Sequence, residues 1–208
     1  MTPGPADLLL VIDVQVDFLP GGALPVPEGD AVIGPVNALQ QKFRHVALTQ
    51  DWHPADHVSF ADNHAGKVPF ETVALPYGAQ VLWPRHCVQG RAGAGFAPGL
   101  ATDRAGLVIR KGLDSRVDSY SAFLEADRTT RTGLAGALRE RGITRLVLCG
   151  LATDFCVAWS ALDARDAGFD TLVVADAVRG IDVEGSLAQA WARMEAAGVR
   201  RIAAAEIG

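Results

Sequence analysis

Six short runs along the chain are almost uniformly apolar: Leu8 to Val14, Val46 to Thr49, Leu107 to Ile109, Leu146 to Cys149, Thr171 to Ala175 and Arg201 to Ala205. They are rich in leucine and β-branched residues, and they do not alternate apolar with polar positions. Continuous apolarity predicts strands buried on both faces, as in a parallel sheet covered by helices. Between them lie segments of helical period, clearest over Asp30 to Phe43, Thr132 to Arg141, Asp154 to Ala167 and Val183 to Ala197. In the third, Phe155, Ala158, Trp159, Leu162 and Ala167 are expected to form one core-facing stripe. Gly142, Gly168 and Gly198 each follow a helical segment and precede a strand, the position at which glycine ends a helix. This order predicts an α/β fold with right-handed crossovers around a mainly parallel sheet of about six strands.

One stretch departs from the alternation. Asp51 to Ala105 has little periodicity, several prolines and four of the five histidines. So long a connection within a compact domain is usually functional. Because it also carries Trp52, Phe60, Phe70, Trp83 and Phe96, it reads as an active-site excursion inside a single domain covering residues 1–208. A length of 208 residues with 49% hydrophobic side chains suffices for one sizeable core.

Charge and cysteine content narrow the function. With 24 acidic against 19 basic residues and a formal charge of −5, the chain lacks the clustered Lys and Arg that nucleic-acid binding requires. No apolar run approaches the ~18 residues of a membrane span, since Asp13 and Asp17 interrupt the first one. Met1 to Asp7 has none of the positive charge of a signal peptide. Three cysteines, Cys87, Cys149 and Cys156, form an odd, sparse set that points to reduced thiols in a cytoplasmic protein.

Ligands of open α/β sheets bind at the carboxyl ends of the strands. There the sequence would bring together Asp13, the Asp51-Trp52-His53 turn, Lys111 and the Cys149-to-Cys156 loop. Cys156 falls in the first turn of a predicted helix, whose N-terminus favours a thiolate and offers free N–H groups to an oxyanion. A buried apolar cysteine is the plainer alternative, and Cys149, inside a strand, is read that way. Asp13 at the end of an apolar strand needs a partner to offset desolvation, and Lys111 is the candidate. The two alone could be a structural ion pair; beside a thiol they supply the base, acid and cation that amide hydrolysis requires. Asp51 and His53, two apart on an extended segment, project to one side and could chelate a metal. His57, His64 and His86 are candidates for a third ligand, in a set suited to Zn²⁺ or Fe²⁺. Cys87 would point away from that site, and His45 and His64 read as surface or capping residues.

Taken together, Val11 to Leu24, Thr49 to Phe60, Trp83 to Gly90, Arg110-Lys111-Gly112, Asp118 to Phe123 and Gly150 to Val157 resemble the nicotinamidases of the isochorismatase-like cysteine hydrolase superfamily. The Asp-Trp-His and Trp-Pro-x-His-Cys motifs single out nicotinamidases within it. The resemblance implies a three-layer αβα fold and hydrolysis of nicotinamide to nicotinate and ammonia through a cysteine thioester, in NAD salvage, with pyrazinamide as a side substrate. It implies a triad of Asp13, Lys111 and Cys156, and one divalent ion per chain, Zn²⁺ ahead of Fe²⁺ or Mn²⁺, on Asp51, His53 and His86. His57 is a further ligand in some relatives and not in others. It also implies a cis peptide between Leu151 and Ala152, an oxyanion hole from the Ala152 and Cys156 N–H groups, and a ring pocket of Phe18, Trp83 and Tyr120. Val16 stands where relatives usually have Asn, a change expected to bear on the outer metal surroundings or pocket polarity. The partner implied is a small molecule, with no nucleic acid or membrane, and a homo-oligomer is compatible. The rival readings are a sister amidase for carbamoyl or ureido substrates, a zinc hydrolase with a structural Cys156, and a non-catalytic binding module.

Overall fold

Every residue of the first strand, β1 (Asp7–Ile12), is buried in the computed structural model, which describes residues 1–208. Leu9 and Val11 join one apolar core, while Leu8, Leu10 and Ile12 join another. Successive side chains of a strand point to opposite faces, so a strand without polar positions needs cover on both. Helix α1 (Ile33–Gln40) brings Val36 and Leu39 to the first core. Helices α2 (Leu134–Glu140), α3 (Ala158–Asp166) and α4 (Ser186–Ala196) bring Leu134, Leu138, Ala161, Ala190 and Met194 to the second. The result is three layers, helix on sheet on helix, with about 2 kcal/mol gained for each leucine or isoleucine fully withdrawn from water.

The sheet has six strands, joined by β2 (His45–Asp51), β5 (Leu107–Lys111), β6 (Arg145–Leu151), β7 (Asp170–Arg179) and β8 (Arg200–Ile202), in the order β5-β2-β1-β6-β7-β8. All five pairings are parallel. With β1 between β2 and β6, and β5 next to β2, the ends of four strands converge on one edge. Two short strands the periodicity does not reveal, β3 (Thr72–Leu75) and β4 (Gly78–Val81), pair antiparallel as a hairpin inside the long excursion. Half of their eight residues are exposed and the one buried side chain, Gln80, is polar, so no buried apolar run marks them.

Of the boundaries that differ from the sequence reading, β7 runs on to Arg179, four residues past the expected Ala175, and three others have a plain local reason. β1 stops at Ile12 because Asp13 adopts a left-handed conformation, φ 44°, and its carbonyl closes a tight turn with the Gln15 N–H. β8 stops at Ile202: the Glu206 carboxylate accepts the Ala203 N–H at 2.7 Å and turns the chain into one 3-10 turn, Ala204–Glu206. The helix expected from Asp154 instead begins as a π-helical turn, Thr153–Val157, in which the Val157 N–H donates to the Ala152 carbonyl at 3.1 Å. That turn shifts the phase of α3. Its core face is the small-residue row Ala158, Ala161 and Ala164, while Phe155, Trp159 and Leu162 are only half-buried. The glycine expectations hold: Gly142, Gly168 and Gly198 have φ of 68°, 89° and 79°. After each, the next N–H reaches back five residues, Ile143 to Leu138, Phe169 to Ala164 and Val199 to Met194, at 2.9 to 3.0 Å. No helix is long and apolar enough to cross a membrane.

Candidate active site

Lys111, the last residue of β5, is fully buried, and its ammonium is the hub of the strand-end cluster. Nζ lies 3.0 Å from Asp13 Oδ2 and 3.5 Å from Cys156 Sγ, and it is ion-paired with the Asp51 carboxylate. The contact with Asp51 was not expected from the sequence, which paired Lys111 with Asp13 alone. It arises because β2 and β5 are neighbours in register, Asp51 opposite Lys111. Lys111 also donates to the Ser119 carbonyl at 3.3 Å.

Asp13 is held from its other side by Thr49, a residue not singled out in the sequence. The Thr49 hydroxyl donates to Asp13 Oδ1 at 2.5 Å and accepts the Asp13 N–H at 3.1 Å. Burial pushes the Asp13 carboxyl above the usual carboxylate range, against the pull of Lys111. Burial likewise pushes the Cys156 thiol well above its ordinary value, and Asp13 and Asp51 add to this while Lys111 opposes it. Burial thus opposes the ready thiolate that a helix terminus favours, with Lys111 as the one neighbour that supports it. The thiol proton must leave when the sulfur reacts.

Asp51, His53 and His86 present ligand atoms that all lie within 4.8 Å of one another. Both histidines are aimed by backbone carbonyls. His53 Nδ1 donates to the Gly112 carbonyl at 3.1 Å, and His86 Nδ1 donates to the Pro84 carbonyl at 2.7 Å. Each therefore turns Nε2 toward Asp51 Oδ2, at 3.6 and 3.9 Å. Fixing the far nitrogen with a carbonyl is the usual way to orient a metal-ligating imidazole. Burial and the neighbouring His53 hold His86 down to about 4, so it is neutral with a free lone pair. Burial opposes protonation of His53, but the adjacent Asp51 raises its pKa. For Asp51 burial is likewise opposed, by Lys111 and His53, which hold it well below the usual range. A carboxylate and two imidazoles so arranged fit a divalent cation.

His57 and His64 do not join this set. His57 lies against His53 with ring centroids 4.1 Å apart and the rings tilted by 31°, but its Nδ1 bonds the Ser59 hydroxyl at 2.7 Å and its Nε2 bonds the Val117 carbonyl at 3.1 Å. His64 Nε2 bonds the Val58 carbonyl at 2.7 Å. Cys87 and Cys149 are buried among apolar side chains of the first core.

Phe18, Trp83, Tyr120, Ala152 and Cys156 line one cleft together with Asp51, His53 and His86. The Trp83 ring meets Phe155 edge-on at 4.9 Å, and Trp83 Nε1 donates to the Tyr120 hydroxyl at 3.0 Å. Phe155, Leu24, Ile181 and Asp118 also face this cleft and were not marked as site residues. Asp118 opens the family-like segment Asp118 to Phe123, but nothing in its spacing distinguishes it. Gln15 was missed too: it accepts the Asp51 N–H at 2.8 Å and donates to the Asp51 and Ala94 carbonyls at 2.9 Å. Buried Phe60 packs 5.5 to 5.6 Å from His53, His57 and His86. Val16 lies outside the cleft lining; its N–H donates to the Gly95 carbonyl at 3.0 Å. The Leu151–Ala152 peptide is cis.

A thiol, a buried carboxylate and a lysine gather at the strand ends of a parallel αβα sheet, beside a carboxylate-histidine triplet with room for a metal, and this is the arrangement of a candidate hydrolase site. The isochorismatase domain model matches residues 7–206, and the chain belongs to the isochorismatase family. Among characterised relatives it is 54% identical to the nicotinamidase of Acinetobacter baylyi, over 96% of this chain and 93% of that one. A solved Acinetobacter baumanii nicotinamidase/pyrazinamidase superposes with a TM-score of 0.97 at 55% identity, covering 98% of each chain. The pyrazinamidase of Pyrococcus horikoshii, solved in complex with zinc, superposes at 0.78 with 38% identity, covering 96% of this chain and 99% of that one.

Proposed function

We propose that this protein is a nicotinamidase that hydrolyses nicotinamide to nicotinate and ammonia through a thioester on Cys156, serving NAD salvage in the cytoplasm. Pyrazinamide is a side substrate on this reading. The observation that carries it is that Asp13 and Lys111 converge behind Cys156, which lines one aromatic-walled cleft together with Asp51, His53 and His86. The activity of the relatives at 54 and 55% identity supports the choice of substrate.

Asp13 takes the Cys156 proton as sulfur attacks the carboxamide carbon, and a base whose own pKa is raised is the better matched to a raised thiol. The carbonyl electron pair moves onto oxygen, which the Ala152 and Cys156 N–H groups receive. When the C=O bond re-forms, the C–N bond breaks, and Asp13 returns its proton to the leaving nitrogen. Ammonia departs and an acyl thioester remains. Asp13 next takes a proton from water as its oxygen adds to the thioester carbon. The second oxyanion expels sulfur, which recovers the proton from Asp13, and the acid product loses its own proton to solvent. Lys111, 3.0 Å from one partner and 3.5 Å from the other, stabilises negative charge on whichever group bears it. Phe18, Trp83 and Tyr120 hold the ring.

Asp51, His53 and His86 would hold one divalent ion; the set suits Zn²⁺ and accepts Fe²⁺ or Mn²⁺. When bound, such an ion supplies a Lewis-acidic open position that orients a pyridine nitrogen. The test is ammonia release from nicotinamide by zinc-loaded protein, before and after iodoacetamide. The expected result is rapid release that alkylation abolishes with metal retained, and Cys156→Ala should match the alkylated sample. Release that survives modification of Cys156 would make metal-bound water the nucleophile. Release only from a carbamoyl or ureido amide would assign the protein to the sister amidases.

A further inference from the structure

Glu125 is a buried carboxyl group that the reaction above does not use. Its Oε1 accepts the Gly112 N–H at 3.2 Å, while Oε2 is buried without a partner. Gly112 follows Lys111 directly, and the other side of the residue faces the metal-ligand set, since its carbonyl accepts from His53 Nδ1 at 3.1 Å. The fit is close: a Cβ on Gly112 would lie 2.3 Å from His53 Nδ1 and Cε1. Gly112 also has φ 68°, a conformation open to glycine that must be held from outside. A mobile glycine would let its carbonyl swing away, and His53 would then be free to rotate or to change which nitrogen carries the proton.

We infer that Glu125 is a positioning residue that orients the His53 ligand through the Gly112 peptide, so that Nε2 is presented to a divalent ion. The inference rests on reading Asp51, His53 and His86 as metal ligands. Glu125 itself is anchored independently of its side chain. Its N–H donates to the Thr130 carbonyl at 2.9 Å, its carbonyl accepts from the Arg128 N–H at 3.0 Å, and the next residue, Ala126, donates to Asp118 at 2.8 Å. Removing the carboxyl group thus leaves the local turn in place. A carboxamide has the same shape and keeps an oxygen that can accept the Gly112 N–H, so it is a fair substitute for the carboxyl group.

The experiment is zinc affinity by competition with a chromophoric chelator, on the parent, Glu125→Ala, Glu125→Met and Glu125→Gln, with folding checked by circular dichroism. Loss of the acceptor should weaken zinc about 10- to 100-fold, as removal of the group behind a ligating histidine does. Glu125→Gln, which keeps an oxygen for the Gly112 N–H, should stay within about threefold of the parent. A folded Glu125→Ala or Glu125→Met protein with parental affinity overturns the proposal. So does a Glu125→Gln protein as weak as Glu125→Ala, since the charge and not the acceptor would then matter. Nitrogen-15 NMR of the zinc-loaded parent supplies a measurement that needs no variant: His53 should bind through Nε2 with Nδ1 protonated, and binding through Nδ1 overturns the proposal. A parent that binds no zinc defeats the reading of the metal site and the proposal with it, which distinguishes that failure from the others.

Discussion

Thr49 illustrates how a single hydroxyl can aim a base. Asp13 sits in a left-handed conformation that aspartate adopts more readily than most residues; the Thr49 hydroxyl donates to one carboxylate oxygen and accepts the Asp13 N–H, while the other carboxylate oxygen faces Lys111. Thr49→Val keeps the volume and removes both bonds. It should lower kcat about 100-fold with KM little changed, because a misplacement of the base acts on the transition state; Thr49→Ser should restore most of the rate. A KM effect alone would place Thr49 in substrate binding. The thiol offers a second test at this scale. Since burial raises Cys156 well above an ordinary thiol, its reaction with iodoacetamide in metal-free protein should be slow near neutral pH and still accelerating beyond the pH range in which an ordinary thiol ionises. A rate already at its plateau at neutral pH would mean a resting thiolate paired with Lys111. Cys156, Lys111 and Asp13 were legible in the sequence because a charged or reactive residue at the end of an apolar run is conspicuous. Thr49 and Gln15 were not, since neither is unusual near a strand end.

The elements close on themselves through their ends. After α2, α3 and α4 the chain turns by the same device, a glycine in left-handed conformation followed by an N–H that reaches back five residues. Gly168→Ala should cost about 1–2 kcal/mol, the price of a side chain at φ 89°, seen as a lower urea midpoint with unchanged slope. Nothing lies within 4 Å of the position a Cβ would take, so the loss would come from the backbone and not from a clash. These helix ends were readable because glycine marks them chemically. The hairpin β3–β4 and the π-helical turn before α3 were not. An exposed hairpin leaves no buried pattern, and one extra residue in a helical turn changes no residue type.

At the scale of the whole molecule, the two cores lie on either side of the sheet and do not include His53, His86 or Asp51. Stripping a bound metal with a chelator should therefore abolish ammonia release while leaving the far-ultraviolet circular dichroism unchanged, and zinc should restore activity. Unfolding on chelation would mean that the excursion, Asp51 to Ala105, depends on the ion for its place. That excursion is tied down without it: the His53 N–H donates to the Cys87 carbonyl at 3.0 Å, and the Gln89 N–H donates to the His53 carbonyl at 2.9 Å.

By itself the sequence determined the parallel αβα architecture, the residues gathered at the strand ends and the motifs of the family. Those features follow from apolar runs, glycine positions and conspicuous polar residues, which are properties of single segments. The strand order was decided only by tertiary structure, and with it the placing of β5 beside β2 that brings Lys111 against Asp51 as well as Asp13. The same holds for the raised pKa of Cys156, for the gathering of His86 with Asp51 and His53, and for the bond from Gly112 to Glu125. Each of these depends on burial and on partners distant in the chain, and desolvation and hydrogen-bond competition exist only once the segments have packed.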